Sequence, residues 1–264
     1  MLDMSILILT KNEEKNIVDV IRNAKKCSEN VFIIDSGSTD NTVALAKKNK
    51  AKVLFRTWDN DFAAQRNFGL QEVSTKWVLY IDADERLNDE LIENIKEAVK
   101  KDESKQYIIK RKYIAFDQEF NYGVLRPNFV SRLFPRESVK WINKVHERAL
   151  CDLPKVYLKG YMKHYTYTSW EQYINKINQY TTIWAQNAHE NGKKTGIAKA
   201  FLHAFGGFFQ MTFIKKGILE GKIGVVISCC HFFYTLMKYV KLYQLQRQDK
   251  SSNLSNTGKK RVTK

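Results

Sequence analysis

Asp82 and Asp84 stand on alternate positions in Tyr80-Ile81-Asp82-Ala83-Asp84-Glu85, directly after an apolar run from Trp77 to Ile81. Two carboxylates so spaced can approach one cation, and their hard oxygens suit Mg²⁺ or Mn²⁺, ions that bridge phosphate oxygens. A solvated acidic turn is the competing reading of the pair. Asp35 closes a second apolar run, Val31 to Ile34. There it can accept hydrogen bonds from a base or ribose, or merely begin a turn. A third run, Ser5 to Leu9, ends in Thr10-Lys11-Asn12-Glu13. Ser38, Thr39 and Asp40 read as caps of the next helix rather than as ligand contacts.

The elements that must position these residues alternate. Short apolar runs are separated by amphipathic stretches, the pattern of a parallel sheet covered by helices. Strands are expected at Ser5–Leu9, Val31–Ile34, Val53–Phe55 and Trp77–Ile81, the last apolar throughout and therefore central. Ile17, Val20, Ile21 and Ala24 form one helical face, and Leu91, Ile92, Ile95, Ala98 and Val99 form another. Strand signals at Tyr107–Ile109 and Val130–Phe134 give a mixed second half. In an open α/β sheet ligands bind beyond the carboxyl ends of the strands, where Thr10–Glu13, Asp35 and Asp82–Glu85 fall.

The chain has 264 residues, long enough for one good-sized core and short for two ordinary domains. With 44 basic and 28 acidic side chains its formal charge is +16, which draws phosphate-bearing partners. Nucleic acid is not expected among them: no zinc-finger spacing, RNP-type motif or helix-turn-helix accompanies the charge. Cys27, Cys151, Cys229 and Cys230 show no CxxC spacing and read as reduced structural thiols of the cytoplasm. The start, Met1-Leu2-Asp3-Met4-Ser5, lacks a basic n-region, so no signal peptide is expected.

In order and spacing, Leu9-Thr10-Lys11-Asn12-Glu13, Ile34 through Thr42 and Tyr80 through Glu85 resemble the family-2 glycosyltransferases. Phe62-Ala63-Ala64-Gln65-Arg66-Asn67 and Arg132-Leu133-Phe134 are similar to the subgroup that builds bacterial lipopolysaccharide or lipooligosaccharide cores. The resemblance is strong over roughly the first two-thirds of the chain. It implies a GT-A fold, Rossmann-like with a mixed sheet, a nucleotide-diphosphate sugar as donor, and Asp82-Ala83-Asp84 as the DXD motif. Thr10, Asn12, Glu13 and Asp35 would then line the nucleoside pocket. Asp82 would stand near ribose or metal, and Asp84 on the metal.

Family members invert the anomeric centre by direct displacement, so the departing diphosphate needs neutralising and the acceptor hydroxyl needs a base. The resemblance gives the first task to Mg²⁺ or Mn²⁺, helped by Arg66 or Arg126. It places the base at Glu147 in Trp141-Ile142-Asn143-Lys144-Val145-His146-Glu147, where many members carry Asp; surface pairing with Lys144 or Arg148 is the alternative. His164 resembles the histidine that GT-A enzymes bring to the metal, though a lone histidine is often structural. His146 reads as support for its turn, and Gly123 as either a close acceptor loop or a plain turn.

From Thr168 the texture becomes helical: Thr168 and Glu171 have capping-box spacing, and Tyr173, Ile177, Tyr180 and Trp184 recur at helical intervals. Ala200–Ile214 and Ile223–Met237 contain no Lys, Arg, Asp or Glu and are bordered by Lys215, Lys216, Lys222, Lys238 and Lys241. Each is shorter than the roughly 20 residues of a bilayer span. They suit helices lying in an anionic membrane interface, with packing on protein as the other reading. The expected division is thus a catalytic domain 1–168, a helical extension 169–247, and a disordered basic tail 248–264.

These readings converge on an inverting, metal-dependent hexosyltransferase, with glucose the first donor sugar to consider. It would be peripheral on the cytoplasmic face of a membrane, with a lipid-linked saccharide such as lipopolysaccharide core as acceptor. Two rivals remain: a polyprenyl-phosphate sugar synthase, and a non-catalytic sugar-nucleotide-binding membrane scaffold.

Overall fold

The computed structural model of the chain describes residues 2–144 and 147–259, with side chains through residue 249. The chain packs as two units, Met1–Ile114 with Pro127–Thr166, and Ala115–Arg126 with Tyr167–Lys264.

The first unit is built on four parallel strands, β1 (Met4–Thr10), β2 (Val31–Asp35), β3 (Lys52–Phe55) and β4 (Trp77–Asp82). After β5 (Glu85–Leu87) come β6 (Gln106–Ala115), β7 (Gln118–Phe120), which belongs to the second unit, β8 (Asn128–Pro135), β9 (Lys140–Ile142), β10 (Arg148–Leu150), β11 (Lys155–Tyr157) and β12 (Met162–Tyr167). Among the described residues the main sheet runs β3-β2-β1-β4-β8-β6-β12-β5, with β11 on β6, while β9 and β10 pair separately. β8 is antiparallel to both β4 and β6, so the second half is mixed, and β4 is central as its apolar composition requires. Register positions the chemistry: Thr10 pairs with Asp35, and Leu9 with Asp82. The polar ends of three strands therefore come level at one edge.

Both faces of the sheet are covered, which is why its strands are nearly continuous apolar runs. Ile6 and Ile8 of β1 pack with α1 (Ile17–Lys25) and α4 (Asp89–Lys101) through Ile17, Ile21, Leu91 and Ile95. Leu7, Ile34 and Tyr80 face the other way, toward Ala63 of α3 (Phe62–Gln71), Phe134 and Trp141. Each fully buried Ile, Leu or Phe contributes about 1.5–3 kcal/mol. A short helix, α2 (Thr42–Lys48), joins β2 to β3. α3 approaches closely at Gly69, where an added Cβ would fall 2.1 Å from Ile34 Cδ1. All four cysteines are free, and burial pushes the Cys27 thiol up to about 12, so it is inert.

The second unit contains α5 (Trp170–Glu190), α6 (Ile197–Phe209), which passes into a π-helical turn Gln210–Ile214, and α7 (Gly221–Lys259). The α5 cap differs by one residue from the expected box. Ser169 Oγ accepts from Gln172 N at 3.2 Å, because the helix begins at Trp170, and Thr168 N instead donates to Gln172 Oε1 at 3.1 Å. The stretch from Gln248, expected to be disordered, continues α7 to Lys259. No proline interrupts that segment, and each added helical residue gains a hydrogen bond once a helix is nucleated.

Ala115–Arg126 groups with these helices, a departure from the expected boundary at residue 168. Glu220 Oε1 accepts from the backbone N–H groups of Asn121 and Tyr122, both at 2.7 Å, and Gly123 N donates to Lys215 O at 2.7 Å. Gly123 has φ +66°, and a Cβ there would meet Gly217 Cα at 2.8 Å. The close approach at Gly123 is thus to a second glycine.

Candidate active site

At the end of β2, Asp35 is buried and organises its own turn. Its Oδ2 accepts from Gly37 N at 2.9 Å and Ser38 N at 3.0 Å, and its Oδ1 from Ser38 Oγ at 2.5 Å and Thr10 Oγ1 at 3.5 Å. Asn12, exposed with φ 56°, clips the adjoining loop: its Oδ1 accepts from Thr39 N at 2.8 Å, and its N–H donates to Ser38 Oγ at 2.9 Å. Glu13 N donates to Thr42 Oγ1 at 2.7 Å, and its carboxylate accepts from Asn16 Nδ2 at 2.8 Å. Burial raises the Glu13 carboxyl above its ordinary value, with the Asn16 hydrogen bond opposing and the Asp84 charge adding. Thr10, Asn12, Glu13 and Asp35 thus gather at one sheet edge, joined by loop-to-loop hydrogen bonds.

The end of β4 holds a charge network. Arg66 reaches it from α3, whose first turn is capped by Asp61 Oδ1 accepting from Ala64 N at 2.8 Å. Only 3% exposed, Arg66 donates through Nη2 to Asp82 Oδ1 at 2.9 Å and to Glu147 Oε1 at 3.0 Å, and through Nε to Glu147 at 3.2 Å. Its guanidinium lies over the Trp141 ring, 4.7 Å from the centroid. Arg132 Nη2 takes the other oxygen of Asp82 at 2.7 Å and Glu85 Oε1 at 3.1 Å, and Arg111 Nη1 meets the same Glu85 oxygen at 3.2 Å. Fully buried Glu85 also accepts from Asp82 N through Oε2 at 2.8 Å. Burial works to raise the Asp82 carboxyl, but Arg132 and then Arg66 outweigh it and hold Asp82 well below the usual carboxylate range. Asp82 and Glu85 in turn keep Arg132 protonated against the cost of its burial.

Asp84 points elsewhere. Its Oδ2 lies 3.0 Å from His164 Nε2, and its carbonyl oxygen accepts from Tyr165 N at 2.9 Å, because antiparallel pairing of β12 with β5 brings His164 opposite Glu85. The expected trio of Asp82, Asp84 and His164 is therefore divided: Asp84 and His164 meet, while Asp82 is held by two arginines. Among the described residues no three His, Cys, Asp or Glu side chains gather to hold one ion. Asp84 and His164 still fit a divalent cation in part, since a carboxylate and an imidazole converge and Mg²⁺-type sites draw remaining ligands from substrate phosphates and water. Among the described residues His164 Nδ1 is buried with no hydrogen-bond partner, so in the absence of a cation the Asp84 carboxylate, which accepts, places the proton of a neutral ring on Nε2.

Among the described residues Glu147 joins the site through Arg66, and no ion pair joins it to Lys144 or Arg148. Arg126, the other cation considered for the diphosphate, belongs to the second unit and donates to Gly123 O at 3.0 Å. His146 lies outside the described residues. Glu147, Arg132 and Arg111 also line a cleft of about 550 Å³ in the first unit.

Sequence reasoning gave no role to Glu85, Arg111 or Arg132. The available signal was Arg132 itself, a charge directly preceding Leu133 and Phe134 in a buried strand, where an unpaired arginine would be costly.

This arrangement, strand-end acids beside arginines from one helix and two strands on a half-parallel sheet, can be set against known proteins. Residues 5–152 match the model of glycosyl transferase family 2, and the chain belongs to that family, with a GT-A-like fold. It is 30% identical to an uncharacterized glycosyltransferase of Rickettsia typhi, over 94% of this chain and 89% of that protein. It is 26% identical to the lipopolysaccharide core biosynthesis glycosyltransferase LpsC of Rhizobium meliloti, over 92% and 93% respectively. Among solved structures it is similar to S. aureus TarS, with 16% identity and a TM-score of 0.46 over 91% of this chain and 54% of that one.

Proposed function

We propose that the chain transfers a hexose, glucose first, from a nucleotide-diphosphate sugar to a hydroxyl of a lipid-linked saccharide such as lipopolysaccharide core, inverting the anomeric centre. The observation that carries this reading is the Arg66 bridge: one guanidinium nitrogen contacts both Asp82, at the strand end, and Glu147, the candidate base. The likeness to LpsC along nearly its whole length supports the choice of acceptor.

In the displacement, the acceptor oxygen forms a bond to the anomeric carbon, the carbon–oxygen bond to the diphosphate breaks, and the hydroxyl proton passes to Glu147. Arg66 engages Oε1 of Glu147, and no hydrogen bond among the described residues reaches Oε2, the oxygen left to take that proton. Thr10, Asn12, Glu13 and Asp35 form the nucleoside side of the site. A divalent cation, Mg²⁺ or Mn²⁺, held by Asp84 and His164 would supply Lewis-acid stabilisation of the leaving diphosphate. Arg66 and Arg132 add positive charge beside it, although Asp82, Glu85 and Glu147 already balance them.

The second unit supports a membrane-surface location at the cytoplasmic face. Ile197–Ile214 and Gly217–Asp249 are each long and apolar enough to cross a bilayer by length and composition, longer than the apolar runs in the sequence suggest, because helix continues past the bordering lysines. Only 17% and 28% of their apolar windows are buried. Exposed Phe201, Phe205, Phe209 and Phe213 recur every four residues along one face. Lysines at the turn, Lys215, Lys216 and Lys222, favour lying in the anionic interface over spanning. The reading is tested by supplying a panel of nucleotide sugars with a lipid-linked core acceptor and measuring nucleoside diphosphate release and product. Tight donor binding without release from any donor would instead favour the scaffold.

A further inference from the structure

The cleft beside Glu147 has an uneven charge. Among the described residues four cations, Arg111, Arg132, Arg148 and Lys155, line it with a single acid, Glu147. Arg111 and Arg132 are matched by Glu85 and Asp82, and Glu147 by Arg66. Arg148 and Lys155 are exposed on β10 and β11, and no ion pair holds either among the described residues. Exposed cations without an ion-pair partner at a cleft suit a ligand with negative charge.

The rim of the cleft is aromatic. Phe129, which lines it, is 57% exposed and meets Tyr157, 62% exposed, edge to face with centroids 5.2 Å apart. Exposed aromatic surface beside charged groups suits a ligand with one apolar and one polar face, as a sugar ring has. The volume of about 550 Å³ lies within the usual range for small-molecule sites.

We propose that this cleft is the acceptor subsite and that it selects an anionic saccharide, a sugar bearing a phosphate ester or a carboxylate. Phe129 packs on the ring, Arg148 and Lys155 take the anionic group, and the reacting hydroxyl is directed to Glu147. The inference rests on the transferase reading for the role of Glu147. The anion selectivity is independent of turnover.

Calorimetric titration of the full chain with glucose 6-phosphate, glucuronate, glucose and inorganic phosphate tests it. At least one of the two anionic sugars should bind roughly tenfold or more tightly than both glucose and inorganic phosphate, the scale of one charge-assisted hydrogen bond. Which one binds distinguishes phosphate from carboxylate. The Arg148→Gln, Lys155→Gln double variant should lose that preference. Lys100→Gln with Lys101→Gln, on exposed α4 positions, should keep it. Glucose binding as tightly as both anionic sugars would overturn the proposal. So would inorganic phosphate matching them, or equal loss in the α4 control, which would mark a general effect of the +16 charge. Donor hydrolysis on the same preparations separates the two readings: absent release with intact anion preference removes the transferase reading alone, and normal release without preference removes the subsite alone.

Discussion

Asp84 Oδ2 stands 3.0 Å from His164 Nε2, joining the acid after the central strand to an imidazole 80 residues further along the chain. The two atoms face one another where a cation could displace the hydrogen bond. Asp84→Asn should therefore nearly abolish transfer, and chelator should do the same to the parent protein. His164→Ala should raise the Mn²⁺ concentration needed for half-maximal activity while leaving measurable turnover. Full activity in excess chelator sinks the metal assignment, and an unchanged Mn²⁺ titration returns His164 to a structural role.

Glu147→Gln keeps the side chain's size and an oxygen for Arg66 while removing its proton affinity. Transfer should fall by roughly a hundredfold or more, the usual scale for losing a general base. Donor affinity, measured by calorimetry, should persist. If affinity and rate fall together, Glu147 is a structural partner of Arg66.

Arg66 is enclosed by Asp82, Glu147 and the Trp141 ring. Arg66→Ala strands Glu147, leaves Asp82 with Arg132 alone and opens a void, so it should destabilise the first unit by about 3–5 kcal/mol, the range for breaking a buried ion pair. Arg66→Lys should recover part of this but not the fork that serves both acids. Urea unfolding midpoints of the three proteins check the order. Parent-like stability of Arg66→Ala would show that the network contributes little to folding.

The full chain should sediment with phosphatidylglycerol vesicles, bind phosphatidylcholine vesicles less, and be partly released by salt, which screens the lysine contribution. Charge reversal at Lys215, Lys216 and Lys222 should weaken sedimentation while circular dichroism stays unchanged. A chain that ignores anionic vesicles and forms a soluble dimer through its phenylalanines would end the membrane reading.

Much of the first unit is legible in the sequence because a sheet covered on both faces needs uninterrupted apolar strands. Trp77–Ile81 and Val31–Ile34 satisfy that locally. The residues at their ends are equally plain, since the polar residue after such a strand has nowhere to go but the sheet edge. Partnership is harder to read. Nothing in Asp82-Ala83-Asp84 tells that one acid turns to arginines and the other to a histidine, because that choice depends on β8 and β12 arriving from distant sequence. Arg132 and Glu85 were hidden for the same reason. The length of α7 was also understated, since charge borders ended the apolar run on paper while the backbone helix had no reason to stop.

Glu220 gathers the backbone of Asn121 and Tyr122, and Gly123 sits against Gly217, so a twelve-residue insert between two neighbouring strands, Ala115–Arg126, folds with helices that begin only at Trp170. The two modules are therefore interleaved in the gene. A cut at Thr168 removes the carboxylate and glycine that this insert depends on, and a chimera borrowing the helices of a relative must borrow the insert too. Recombination among such enzymes should leave three junctions together, one on each side of residues 115–126 and one near residue 167, rather than a single point.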